Sequence, residues 1–149
     1  MYNLKDADGI EQQYTEHPYP APISNMRERI EQGYRQGSSP DQLWHILFPE
    51  KAYRDDLNIL IAGCGTNQAV YHALKFPNSH HYAIDVSEVS LNHVRAMIKK
   101  YDIKNLEIEK KDIIELPHKN EFDYVISTGV IHHTKDPQES LSKLVETTK

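Results

Sequence analysis

Apolar residues along this chain recur with a period that switches repeatedly between a strand's and a helix's. Leu57 to Ala62 is an apolar run broken only by Asn58, the signature of a strand covered on both faces of a parallel sheet. Val70, Ala73 and Leu74 then fall at helical spacing, and His80 to Ile84 reads as a second strand with Asp85 at its carboxyl end. Ser87 is placed to cap a helix whose Leu91, Val94, Ile98 and Tyr101 share one side. Leu106 to Lys110 alternates apolar and polar, as a strand near a sheet edge does, and Tyr124 to Ile126 is a fourth strand. Asp136-Pro137-Gln138-Glu139 is a capping-box start for a last helix that turns Leu141, Leu144 and Val145 inward. Strand and helix in alternation predict an α/β, doubly wound, mostly parallel sheet over residues 56–149.

Residues 1–55 differ in character. They are polar and turn-rich, with two short helical patterns ahead of the α/β core. Ser39-Pro40-Asp41-Gln42 reads as a helix start, with Ser39 capping, Pro40 at the first helical position and Gln42 closing a box. Leu43, Ile46 and Leu47 would then form its apolar face. Tyr14-Thr15-Glu16-His17-Pro18-Tyr19-Pro20 cannot be regular helix, because each proline restricts itself and the residue before it.

The first strand leads into Ala62-Gly63-Cys64-Gly65-Thr66. Glycines here let the backbone turn sharply, and without a Cβ they let a ligand lie against it. With the usual right-handed crossover the first two strands are neighbours, so Asp85 comes beside this turn. A carboxylate there can accept hydrogen bonds from both hydroxyls of a ribose.

In these segments the chain resembles the class I S-adenosylmethionine-dependent methyltransferases. Ala62 to Thr66 matches the core of their first motif and Asp85 their ribose-binding acid. Lys111-Asp112-Ile113, with Leu116-Pro117 behind it, looks like the segment whose acid meets the adenine amino group. Phe122 to His133, followed by Asp136-Pro137, is similar to the fourth motif. The resemblance implies S-adenosylmethionine as cofactor, contacted by Ala62, Gly63, Cys64, Gly65, Asn67, Asp85, Val86, Asp112, Ile113 and Ser127, and methyl transfer to an acceptor it does not name. His132 and His133 would face the substrate, one of them as a base; the alternative is that they satisfy backbone carbonyls, since adjacent side chains diverge. The Tyr14–Pro20 stretch resembles a segment that covers the cofactor in some members, and reads equally as a surface linker.

Two positions depart from the family pattern. Members usually carry an acid two residues before the first glycine, where it orients the glycine loop or the methionine ammonium group; this chain has Ile61. Asn67 replaces the third glycine and is expected to keep the turn, because asparagine tolerates positive φ. These changes, with a sequence that ends at Lys149 after four of the family's seven strands, leave open a non-catalytic or incomplete module. On this reading the chain is truncated, and its fourth strand is an exposed edge that invites self-association or a partner chain. A nicotinamide-dependent oxidoreductase is disfavoured, because it needs Gly-x-Gly-x-x-Gly for a pyrophosphate and position 68 is Gln.

Composition narrows the remaining classes. A single cysteine rules out an intramolecular disulfide framework, and Cys64 suits a tight turn better than a redox role. No apolar run approaches the ~20 residues that span a bilayer, and no signal pattern opens the chain, so a cytoplasmic location is expected. A formal charge of −5 gives no general attraction for nucleic acid. The nine histidines include two adjacent pairs but no His-Glu-x-x-His, so no metal is expected; His72 and His93 should be partly exposed on their helices.

Overall fold

A computed structural model of the chain describes residues 20–149, so the Tyr14–Tyr19 part of the aromatic-proline stretch lies outside the described residues. Two short helices come first, α1 (Met26–Glu31) and α2 (Pro40–Leu47). The core follows as β1 (Asn58–Ala62), α3 (Gln68–Lys75), β2 (His80–Asp85), α4 (Glu88–Tyr101), β3 (Leu106–Lys110), β4 (Tyr124–Ile126) and α5 (Pro137–Thr147). Short 3₁₀ turns at Ile113–Glu115 and Ile131–His133 follow β3 and β4. All strand pairs are parallel, in the order β3-β2-β1-β4. This is the doubly wound α/β sheet expected from the alternation.

Register sets the functional end. Ala62 pairs with Ile84, Ile61 with Ile126 and Asp85 with Lys110, so the loops leaving all four strands emerge side by side. β1 is central and buried on both faces. Ile59 and Ile61 pack with Val70, Tyr71, Leu91 and Val94 on one side, while Leu60 and Ala62 pack with Ile84, Ile113, Leu116, Phe122 and Leu144 on the other. Met26 and Trp44 join the first cluster, so α1 and α2 cover the face already carrying α3 and α4.

Local signals held unevenly. Ser87 Oγ accepts from Ser90 N at 3.3 Å and Asp136 Oδ1 from Glu139 N at 2.9 Å, as their positions suggest. Pro40 does open α2, but Ser39 does not cap it: its hydroxyl donates to Gln36 O at 2.8 Å, and Gln42 Nε2 is buried without a partner among the described residues. The buried face of α2 carries Trp44, leaving Ile46 64% and Leu47 53% exposed. Of the three apolar positions expected to face inward on α5, only Leu144 does, beside the buried Ser140 and Thr147; Leu141 and Val145 are more than half exposed. β4 pairs with β1 alone among the described residues, yet its Tyr124 and Ile126 side chains are buried. His93 is half-buried, but His72 is fully buried, because α3 is enclosed between the sheet and the N-terminal helices.

Candidate active site

At the carboxyl ends of the strands lies a cavity of about 690 Å³, within the range of ~300–1,000 Å³ typical of small-ligand sites. The turn after β1 forms its floor. Gly63 (φ +75°) and Gly65 (φ +54°) adopt the left-handed conformation, and the N–H groups of Gly63 and Cys64 donate to Ile84 O at 2.9 and 3.0 Å. A Cβ on Gly63 would lie 2.2 Å from Val130 Cγ2, so the missing side chain makes room for the loop after β4. Cys64 is buried, and burial, followed by the nearby Asp85 charge, pushes its thiol well above the usual range. It remains a thiol, as suits a turn residue.

Asp85 joins two turns. Its Oδ2 accepts from Gly65 N and its Oδ1 from Ser87 N, both at 2.8 Å. Burial raises its pKa, and the N–H groups of Ser87, Gly65 and Val86 oppose the rise. Each carboxylate oxygen can accept a further bond, so the group is fixed in place and can still receive ligand hydroxyls. One strand further out, Asp112 caps the 3₁₀ turn: Oδ1 accepts from Ile114 N at 3.3 Å, and its own N–H donates to Glu115 Oε2 at 3.1 Å. Asp112 and Ile113 line the cavity, as do Val86 and Ile84.

Beyond β4, His132 and His133 line the opposite end with Thr134 and Lys135. Their rings do not diverge; the centroids are 3.8 Å apart, because the 3₁₀ turn folds adjacent residues together. Burial, followed by His132, lowers the pKa of His133. The acids and the imidazoles therefore occupy separate ends, with the glycine turn between them.

Three of the residues singled out from sequence do not line the cavity. Ala62 is sealed in the sheet, and Ser127 Oγ is buried without a partner among the described residues while Thr128 and Gly129 beside it form the wall. Asn67 does not use positive φ; at φ −121° it immediately precedes α3. Its amide clasps the N-terminal segment, with Oδ1 accepting from Ile23 N and Nδ2 donating to Ala21 O, both at 2.9 Å. Thr66 Oγ1 donates to Pro20 O alongside. Pro20, Tyr34 and Gln36 consequently line the cavity; Pro20 closes the stretch that resembles a cofactor-covering segment, whereas no local signal in the sequence connects Tyr34 and Gln36 to the site.

Comparison with known proteins agrees with this geometry. Residues 54–149 match a family model described as a methyltransferase domain. The chain is 28% identical over 102 residues to a probable (S)-tetrahydroprotoberberine N-methyltransferase 2 of Papaver bracteatum, covering 67% of this chain and 28% of that protein. It is 29% identical over 105 residues to a tRNA U34 carboxymethyltransferase of Vibrio cholerae, covering 70% and 32%. Among solved structures, PKMT2 from Rickettsia typhi in complex with AdoHcy superposes with a TM-score of 0.66 at 23% identity, covering 75% of this chain and 23% of that one. The chain thus spans about a third or less of the length of these relatives. A match over more than half its residues, on a parallel β3-β2-β1-β4 sheet with its cavity at the glycine turn, establishes that the chain belongs to the methyltransferase domain family.

Proposed function

We propose that this chain binds S-adenosylmethionine across the ends of β1, β2 and β3 and serves methyl transfer to an acceptor entering from the β4 side. The carrying observation is the Asp85 carboxylate, held by Gly65 N and Ser87 N at the floor of the cavity. Asp85 would accept from the ribose hydroxyls, Asp112 from the adenine amino group, and Ile84, Val86 and Ile113 supply apolar surface for the base. The site suits a ligand without phosphates: the turn has no third glycine to let a pyrophosphate approach, and two acids face the nucleoside end.

When bound, the donor supplies a methyl group activated by the sulfonium charge; the acceptor's lone pair forms the new bond as the carbon–sulfur pair returns to sulfur. The protein's work is then alignment and exclusion of water. An acceptor that must shed a proton finds His133 neutral, because burial and His132 both lower its pKa. The two named relatives concern a tetrahydroprotoberberine nitrogen and a tRNA U34 position, so the family match leaves the acceptor unassigned. Among the described residues no helix is long and apolar enough to cross a membrane. A cytoplasmic site of action is in keeping with the single, buried cysteine.

Calorimetric titration with S-adenosylhomocysteine, and separately with NAD, tests this reading. Saturable binding of the first and none of the second is expected. A folded chain that prefers NAD, or binds neither, would overturn it.

A further inference from the structure

Ile61 stands where family members carry an acid, and its side chain is sealed in the core between the sheet and α3, out of reach of any ligand. Another polar group reaches the cavity from the far end of the same turn. Gln68, the first residue of α3, lines the cavity with only 9% of its surface exposed. Its amide nitrogen donates to Ser38 Oγ at 3.2 Å and to Thr128 Oγ1 at 3.5 Å. One hydroxyl belongs to the N-terminal segment and the other to the loop after β4, so the amide is held from both sides. Its oxygen has no partner among the described residues and is not sealed from the cavity.

An amide oxygen held in a nearly buried site calls for a donor. A cationic N–H donor makes a stronger bond there than a neutral one. The amide is tied to Thr128 in the loop after β4, whereas Asp85 ends β2, and β1 stands between these strands, so Gln68 and Asp85 line the cavity from opposite sides of the glycine turn. A nucleoside anchored at Asp85 therefore sends its 5′ substituent over the turn towards Gln68. For S-adenosylmethionine that substituent ends in an α-ammonium and an α-carboxylate.

We propose that Gln68 is the ammonium-binding residue of this site, its amide oxygen accepting from the α-ammonium group of the donor's amino-acid tail in place of the carboxylate lost at position 61. The inference rests on the S-adenosylmethionine reading above. It gives a neutral acceptor the place of an anion, fixed by the hydroxyls of Ser38 and Thr128. The N-terminal segment, through Ser38, thereby takes part in positioning the tail.

The test compares S-adenosylhomocysteine with its analogue whose tail keeps the carboxylate but lacks the amine. In Gln68→Leu, binding of S-adenosylhomocysteine should weaken roughly ten- to hundredfold, the range for a hydrogen bond to a charged group, while binding of the deaminated analogue stays at the wild-type value. In Gln68→Glu, S-adenosylhomocysteine should bind at least as tightly as to the wild type, with no gain for the analogue. Equal losses for both ligands would show a mere structural tether and overturn the proposal, as would no loss for either. If the leucine variant does not fold, the glutamate variant decides: a change equal for both ligands overturns the assignment. Failure of the wild-type chain to bind S-adenosylhomocysteine would instead remove the underlying reading, so the two failures are distinguishable.

Discussion

Gly63 is constrained twice, by its left-handed φ and by the Val130 side chain lying where its Cβ would be. Gly63→Ala should destabilise the fold by on the order of 2–5 kcal/mol, combining the conformational cost with overpacking. The same change made in a Val130→Ala background should cost about 1–3 kcal/mol less, because both γ-methyl overlaps are gone and only the conformational part and the Val130 Cβ contact at 3.0 Å remain. Urea unfolding of the four proteins checks this, and equal costs in both backgrounds would disprove the contact. Asp85 carries the electrostatic counterpart. Burial raises its pKa, and only the ionised form accepts from two hydroxyls while also holding Gly65 N and Ser87 N. Affinity for S-adenosylhomocysteine should therefore fall as pH drops through that raised pKa. Both this acid and the glycines were legible in the sequence, since strand, turn and acid have a fixed spacing in a βαβ unit. Asn67 was not. Its role depends on residues 21 and 23 returning over the turn, a contact more than forty residues away along the chain.

Helix α3 shows why elements are harder to read than motifs. Its apolar stripe predicts one buried face, yet the run Gln68 to Ala73 is buried all round, because α1 and α2 enclose the side that would otherwise meet water. His72 is caught in this layer with both ring nitrogens unpartnered among the described residues, its ring centroid 6.4 Å from that of His81 on β2. Burial, reinforced by His81, lowers the pKa of His72 to about 3, and burial lowers that of His81 to about 4. Both lie below the unfolded value near 6.5, so the unfolded chain takes up protons first as the pH falls. Stability from keeping both rings neutral is complete above pH 6.5 and is lost as the pH falls towards 4 and then 3. His72→Leu should flatten this loss without destabilising the chain at pH 7.5, because it removes two unsatisfied polar atoms. Urea midpoints at pH 7.5 and 5 decide; the same drop in variant and wild type would refute the assignment. The N-terminal strap makes a second element-scale prediction. Asn67→Ala removes two bonds of about 1 kcal/mol each and should speed hydrogen exchange at Ile23, with little effect at β1. On α2 and α5 the apolar positions permit more than one buried face. Trp44 on α2, and Leu144 without its neighbours on α5, are selected by what each helix packs against.

At the scale of the whole molecule, four parallel strands in the order β3-β2-β1-β4 bring four chain segments to one end, though these are spread over some seventy residues. The glycine turn, Asp85, Asp112 and the His132–Lys135 segment thereby share one cavity, with acids at one end and imidazoles at the other. That arrangement follows from strand order; the crossover rule makes β1 and β2 neighbours, but the pattern of apolar residues gives the strands and not their full sequence in the sheet. Of the N-terminal segment only the Tyr14–Pro20 stretch suggested a place over the cofactor; Met26 and Trp44 enter the core, and Tyr34 and Gln36 the cavity, only through packing. The central claim is that a nucleoside donor is held at the strand ends by Asp85. The most direct test is calorimetric titration of S-adenosylhomocysteine into the wild-type chain and into Asp85→Ala, with circular dichroism to confirm that both are folded. The account predicts saturable binding to the wild type and a loss of about 1.5–3 kcal/mol in the variant; equal affinity of two folded proteins would contradict it.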